Sequence, residues 1–167
     1  MVADRAPPAS FSQEKTFSTY NAAQGEAYAQ IRPDYSPKVY QTILEHHSST
    51  GGELNTLLDV GCGPGTATRT LAPNFTHAIG IDPAEGMITT ARNLIPPSQS
   101  NIRYEISTCE ELGANLMPPI ADASVDLITI ANAAHWFDMP RFWAAASRVL
   151  KPGGNVFSLS YSSTTQS

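Results

Sequence analysis

The chain has 167 residues, 41% apolar and 15% charged, and its 10 Lys+Arg against 15 Asp+Glu give a formal charge of −5, a composition ordinary for one soluble globular domain. The acidic balance disfavours a surface that grips phosphate backbones, which takes clustered Lys and Arg, so no nucleic-acid partner is expected. No stretch reaches the roughly 18 apolar residues that span a bilayer, and the two cysteines, Cys62 and Cys109, match no zinc or disulfide framework, so a cytoplasmic protein with no bound metal and no membrane partner is expected.

Residues 1–16 carry Pro-Pro, Ser and mixed charge without apolar periodicity and read as a flexible tail ahead of a single domain over 17–167. Within it, 17–50 reads as an N-terminal helical lid and 54–161 as an α/β core. A helix is expected over Phe17 to Ala29, and a second starts with Ser36 as N-cap and Pro37 at its first position. Val39, Ile43, Leu44 and His47 make its stripe, and His46 with His47 reads as a solvated helix end. Asn55 to Val60 is the first strand, buried because its centre is apolar without alternation. A glycine-rich turn over 61–65, a short helix from Thr66 to Ala72 and a second strand from His77 to Asp82 follow. Pro83 opens the next helix, with Met87, Ile88, Ala91, Leu94 and Ile95 on one face, before a third strand from Ile102 to Ile106. Val125 to Ile130 is the fourth strand, Asp138 caps a helix whose buried face is Phe142, Ala146, Val149 and Leu150, and Lys151-Pro152-Gly153-Gly154 ends it ahead of a fifth strand over Val156 to Ser160. Five alternations of strand and helix predict an α/β, doubly wound parallel sheet covered on both faces.

The chemistry concentrates in Leu57-Leu58-Asp59-Val60-Gly61-Cys62-Gly63-Pro64-Gly65-Thr66, where a buried strand runs into a turn with three glycines and then a helix. Such a turn brings main-chain N–H groups close to a ligand at the switch point of an open sheet. Asp82 at the end of the next strand is placed to accept both hydroxyls of a ribose, since ionised oxygens only accept and a vicinal diol offers two donors. A dinucleotide fingerprint would put its third glycine at position 66, where this chain has Thr66. A nicotinamide-dependent oxidoreductase is therefore poorly supported.

The D-x-G-x-G-x-G pattern from Asp59 to Gly65 resembles motif I of class I S-adenosylmethionine-dependent methyltransferases. That resemblance implies a Rossmann-like sheet in the order 3-2-1-4-5 with N-terminal helices, and S-adenosyl-L-methionine as cofactor, with S-adenosyl-L-homocysteine as product. It also implies a set of cofactor residues: Asp59, acting through the turn and water; Gly61, Gly63 and Gly65; Asp82 on the ribose, with Pro83 and Met87; Thr108, Cys109 and Glu110 framing adenine; and Ala131 and Asn132 after strand four. The segment Arg148 to Gly154 matches the helix end before strand five.

Ala133 to Asp138, together with Tyr20, Tyr28 and Arg32-Pro33-Asp34-Tyr35, resembles the trans-aconitate methyltransferase group. The resemblance implies a small-molecule acceptor held by Tyr20, Tyr28, Arg32, His135 and Trp136. His135 is a candidate base, and packing against the pocket wall is the competing role for His135 and Trp136. The family usually continues into strands six and seven, which this pattern lacks, so strand five is expected to be an open edge with Phe157 and Leu159 short of neighbours. A fragment of a longer enzyme, a homo-oligomer covering that edge, and a short form that binds the cofactor without methylating, as a partner subunit or a non-methylating catalyst, are the competing expectations.

Overall fold

A computed structural model describes residues 19–31 and 33–160. The predicted tail and Arg32 lie outside the described residues. The sheet is five-stranded and wholly parallel, β3-β2-β1-β4-β5, as the sequence predicted. Its strands are β1 (Thr56–Val60), β2 (His77–Asp82), β3 (Ile102–Ile106), β4 (Val125–Ala131) and β5 (Leu150–Leu159). The helices are α1 (Ala22–Ile31), α2 (Pro37–Ser49), α3 (Thr66–Leu71), α4 (Glu85–Asn93) and α5 (Met139–Val149).

Side-chain alternation along the central strands builds both cores. Leu58, Val60, Ile128 and Ile130 meet Phe142, Ala146 and Val149 of α5 together with Leu112, Leu116 and Ile120. Leu57 and Leu127 point the other way, into Tyr40 and Ile43 of α2 and Ala67 and Leu71 of α3. Segment 107–124 has no helix, yet it is ordered because Arg148 reaches across from α5. Its guanidinium donates to the carbonyls of Ile120 at 3.0 Å, Leu112 at 3.3 Å and Glu111 at 3.4 Å, and pairs with Asp122 at 3.1 Å.

Four expectations need correction. The first helix starts at Ala22, not Phe17, because Asn21 and Gln24 form a reciprocal capping box: the Gln24 N–H donates to Asn21 Oδ1 at 3.0 Å and the Asn21 N–H to Gln24 Oε1 at 2.9 Å. Leu94, placed on the buried face of the next helix, is 44% exposed, since α4 ends one residue before it.

His47 is fully buried rather than solvated. Its Nε2 lies 2.8 Å from the Glu53 carbonyl, and Nδ1 lies 2.9 Å from Asn155 Nδ2. A neutral ring protonated on Nε2 satisfies both partners, because the Asn155 amide then donates to Nδ1. Finally, β5 begins at Leu150, directly after α5, and Lys151 to Gly154 form a bulge between the Leu150–Val125 and Asn155–Leu127 pairs. A bulge carrying Pro152 is tolerated on an outer strand, where a missing N–H breaks no ladder. Phe157 and Leu159 pack against the α2 and α3 cluster, with His46 edge-on to Phe157 at 5.5 Å; only the strand's outer backbone edge lacks a partner strand among the described residues.

Helix α1 docks on α4 backbone to backbone. The Gly86 N–H donates to the Tyr20 carbonyl at 3.1 Å, Thr90 Oγ1 donates to the Ala22 carbonyl at 3.2 Å, and a Cβ at Gly86 would collide with the Tyr20 carbonyl oxygen. Because that obstacle is main chain, it cannot swing aside. Gly86→Val is therefore expected to undock residues 19–31 while costing the core only about 1–3 kcal/mol. Limited proteolysis should show cleavage within 19–31 at protease levels that leave the natural chain intact; unchanged protection there would refute this docking.

Candidate functional site

The carboxyl ends of β1, β2 and β4 converge on one glycine turn. Gly61, Gly63 and Gly65 have φ of +67°, +53° and +83°, a region that glycine reaches without the strain a Cβ imposes. The Gly61 and Cys62 N–H groups both donate to the Ile81 carbonyl, at 2.9 and 3.0 Å, which ties the turn to β2. A Cβ on Gly61 would stand 2.8 Å from that of Ala133, whereas one on Gly63 would meet nothing within 4 Å. The turn is thus packed on one side and open on the other.

Asp82 organises the open side. Oδ2 accepts the Gly63 N–H at 2.9 Å, Oδ1 accepts the Ala84 N–H at 2.9 Å, and its carbonyl accepts the Ser107 N–H at 3.2 Å. One residue thereby joins the turn, the start of α4 and the end of β3. It is 9% exposed, and each oxygen of a carboxylate can accept more than one hydrogen bond. Pro83 beside it is exposed, and Met87 is buried on α4.

Asp59 sits beneath the turn instead of at its surface. It is fully buried, with Oδ2 accepting from Thr68 of α3 at 2.6 Å and Oδ1 from Thr129 of β4 at 2.9 Å. Since Asp59 and Thr129 are register partners on adjacent strands, this carboxylate fixes the turn's foundation.

Sequence reasoning passed over Tyr104, which acts from below. Its ring lies across Gly80, where a Cβ would come within 2.6 Å of it, and its hydroxyl donates to the Gly65 carbonyl at 3.1 Å. Burial holds its phenol well above the ordinary value. No periodicity marks such a residue; the only signal is a tyrosine in register with a glycine on the neighbouring strand.

The adenine-framing segment after β3 is compact. Thr108 Oγ1 accepts the Glu111 N–H at 3.1 Å and lies 3.3 Å from the Glu111 carboxylate, so this hydroxyl caps its own turn. Cys109 is buried, and burial followed by the neighbouring Glu110 pushes its thiol up. Burial also pushes the Glu110 carboxyl up, but hydrogen bonds from Cys109, from its own N–H and from the Asp138 backbone outweigh it and leave the group below its usual value. Burial, then Asp82 and Asp59, raises the Cys62 thiol strongly. Both sulfurs are therefore neutral, small apolar fillers.

At the end of β4, Asn132 adopts φ +56° and its N–H donates to the Leu159 carbonyl at 2.7 Å; asparagine tolerates that conformation better than most residues. A 3-10 turn over Ala134–Trp136 follows. His135 is exposed, with its ring 4.6 Å from that of Trp136, which is 44% exposed. Neither packs into a wall. The buried aromatic of this segment is Phe137, set against Gly61 and Phe142.

A shallow cleft opens between the turn and the segment ahead of α2, lined by Asp34, Tyr35, Tyr40, Cys62, Thr66 and Ala131 among others. Tyr20, Tyr28, His135 and Trp136 do not line it. The two tyrosines meet each other instead, edge to face at 6.3 Å. Among the described residues, no His, Cys, Asp and Glu cluster could hold a metal, and no helix is long and apolar enough to cross a membrane.

Residues 58–158 match the family model described as a methyltransferase domain. A Dictyostelium discoideum protein bearing the methyltransferase name is 34% identical over 136 residues, covering 81% of this chain and 46% of its own length. The Aspergillus candidus methyltransferase cfoB is 33% identical over 141 residues, covering 83% and 42%. The chain spans less than half the length of both curated relatives. Among solved structures, one described as a type II methyltransferase from Anaeromyxobacter dehalogenans superposes with a TM-score of 0.62 at 32% identity, over 77% of this chain and 48% of that one.

Proposed function

Since the chain belongs to the methyltransferase domain family, we propose that it binds S-adenosyl-L-methionine across the 61–65 turn and delivers the methyl group to a small metabolite with a carboxylate or hydroxyl. The observation that carries this reading is the Asp82 junction, where one carboxylate at the end of β2 clamps the Gly63 N–H beside the open side of the turn, the place from which a carboxylate can accept from a ribose diol. The open space over Gly63 fits a ligand that passes along the turn. Gly61, Gly63 and Gly65 would lie under the amino-acid portion, Thr108, Cys109 and Glu110 beside the adenine, and Ala131 with Asn132 at the end of β4. When bound, the cofactor supplies an activated methyl on a sulfonium.

The protein's part is then to align an acceptor and exclude water. A carboxylate acceptor is ionised at neutral pH and needs no base, whereas a hydroxyl needs one. His135, exposed after β4, is the candidate to hold that proton, and Trp136 beside it offers a flat apolar surface to the acceptor.

The test is S-adenosylhomocysteine formation by the purified protein with a panel of small carboxylic and hydroxy acids. His135→Ala is expected to leave carboxylate methylation within a few-fold and to lower hydroxyl methylation by about 10²–10⁴. Cofactor binding without turnover across the whole panel would overturn the small-acid assignment.

A further inference from the structure

Among the described residues, the cleft between the turn and residues 33–35 carries one charged lining residue, Asp34. An exposed aspartate is ordinarily a mobile side chain, but this one is braced from three elements. Oδ1 accepts the Tyr35 N–H at 2.7 Å and the Tyr40 hydroxyl of α2 at 2.5 Å, and Oδ2 lies 3.4 Å from the Thr70 hydroxyl of α3. The stronger donors hold Oδ1, which leaves Oδ2 with the weakest of the three contacts. Of the other titratable lining groups, Tyr35, Tyr40 and Cys62, burial keeps the Cys62 thiol neutral. Among the described residues the cleft therefore presents one braced carboxylate at the glycine turn.

The cleft shares Cys62 and Pro64 with the glycine turn, so a ligand with its ribose on Asp82 and its far end laid along the turn would bring that end to the cleft. That end of S-adenosylmethionine carries an ammonium and a carboxylate, and a fixed anion attracts the first and repels the second. Building on the cofactor assignment above, we propose that Asp34 binds the α-ammonium of the cofactor and so fixes which way the amino-acid end turns in the cleft. Asp34 is then a ligand-binding residue, and Tyr40 and Thr70 are positioning residues that hold it.

Calorimetric titration of the natural chain and Asp34→Asn with three ligands separates this role from a merely structural one. 5′-Methylthioadenosine keeps the adenosine and the sulfur but lacks the amino-acid end; S-adenosylhomocysteine keeps the ammonium but has a neutral sulfur. Asp34→Asn is nearly isosteric and still accepts from Tyr35 and Tyr40, so the fold is expected to persist, which thermal unfolding checks. Its affinity for S-adenosylmethionine and S-adenosylhomocysteine should fall alike, by about 10- to 100-fold, the worth of one charge-assisted hydrogen bond. Its affinity for methylthioadenosine should stay within threefold. Asp34→Glu, which keeps the charge but displaces it, should give a smaller loss with the same ligand pattern.

Equal losses for all three ligands would assign Asp34 to structure alone and overturn the proposal, as would no loss for any. A loss confined to S-adenosylmethionine would place the contact at the sulfonium and overturn it too. A natural chain that binds none of the three defeats the cofactor assignment itself, an outcome distinct from these.

Discussion

Asp82→Ala is expected to lower affinity for S-adenosylmethionine by about 100-fold or more. Two charge-assisted hydrogen bonds to a ribose diol are worth about 1.5–3 kcal/mol each, and the substitution also frees the Gly63 N–H that Asp82 holds at 2.9 Å and the Ala84 N–H at the same distance. The loss has two parts, a missing contact and a loosened turn. Asp82→Asn separates them, since its amide oxygen still accepts one N–H but one ribose acceptor becomes a donor. Calorimetric titration of both variants, with thermal unfolding as a control, reads the difference. An Asp82→Ala protein that stays folded and binds within threefold of the natural chain would remove the foundation of the functional assignment.

The second large effect falls on stability. Asp59→Ala strands the Thr68 and Thr129 hydroxyls in a buried site and opens a cavity under the turn. Each unsatisfied buried group costs about 1–3 kcal/mol, and threonine hydroxyls can partly turn to nearby carbonyls, so about 3 kcal/mol is expected for the pair. For a chain of this size that corresponds to a Tm lower by roughly 6–12 °C. Thr68→Val and Thr129→Val should each cost less, and combining either with Asp59→Ala should add less than the sum of the two, because partners in one network are coupled. Strict additivity in that cycle would show that the three side chains do not act together.

Asp59 and Asp82 mark the limit of what a motif reveals. Both acids stand out in the sequence, one before the glycines and one at the end of the next strand, and the family resemblance gives both to the cofactor, Asp59 through the turn and water and Asp82 on the ribose. In three dimensions one is a fully buried support and the other a junction at the surface of the turn. Strand alternation decides this: Asp59 occupies the same face as Leu57, toward α2 and α3, whereas Asp82 is the last residue of β2 and its side chain turns over the strand end.

Histidine 47 shows the same limit from the other direction. As one of two adjacent histidines near a helix end it has the pattern of a solvated cap, and its burial becomes tolerable only when the Glu53 carbonyl and, 108 residues later, Asn155 on β5 engage both ring nitrogens. Arg148, Tyr104 and Asp34 were invisible as working parts for this reason. Each acts through a contact more than 30 residues away along the chain, or on a carbonyl that has no side-chain signature.

By itself the sequence determined the alternation of strands and helices, their parallel order, the glycine turn and the acid at the end of the second strand. These depend on local apolar runs, proline and glycine punctuation, and spacing, all of which are written along the chain. Tertiary structure alone decided which acid is locked beneath the turn and which ties the turn to β2 and α4, where strand five begins, what orders segment 107–124, and that Asp34 stands braced in the lining of the cleft. Those outcomes depend on which side chains from distant segments arrive at the same place with complementary donors and acceptors, and no periodicity in a single chain encodes that meeting.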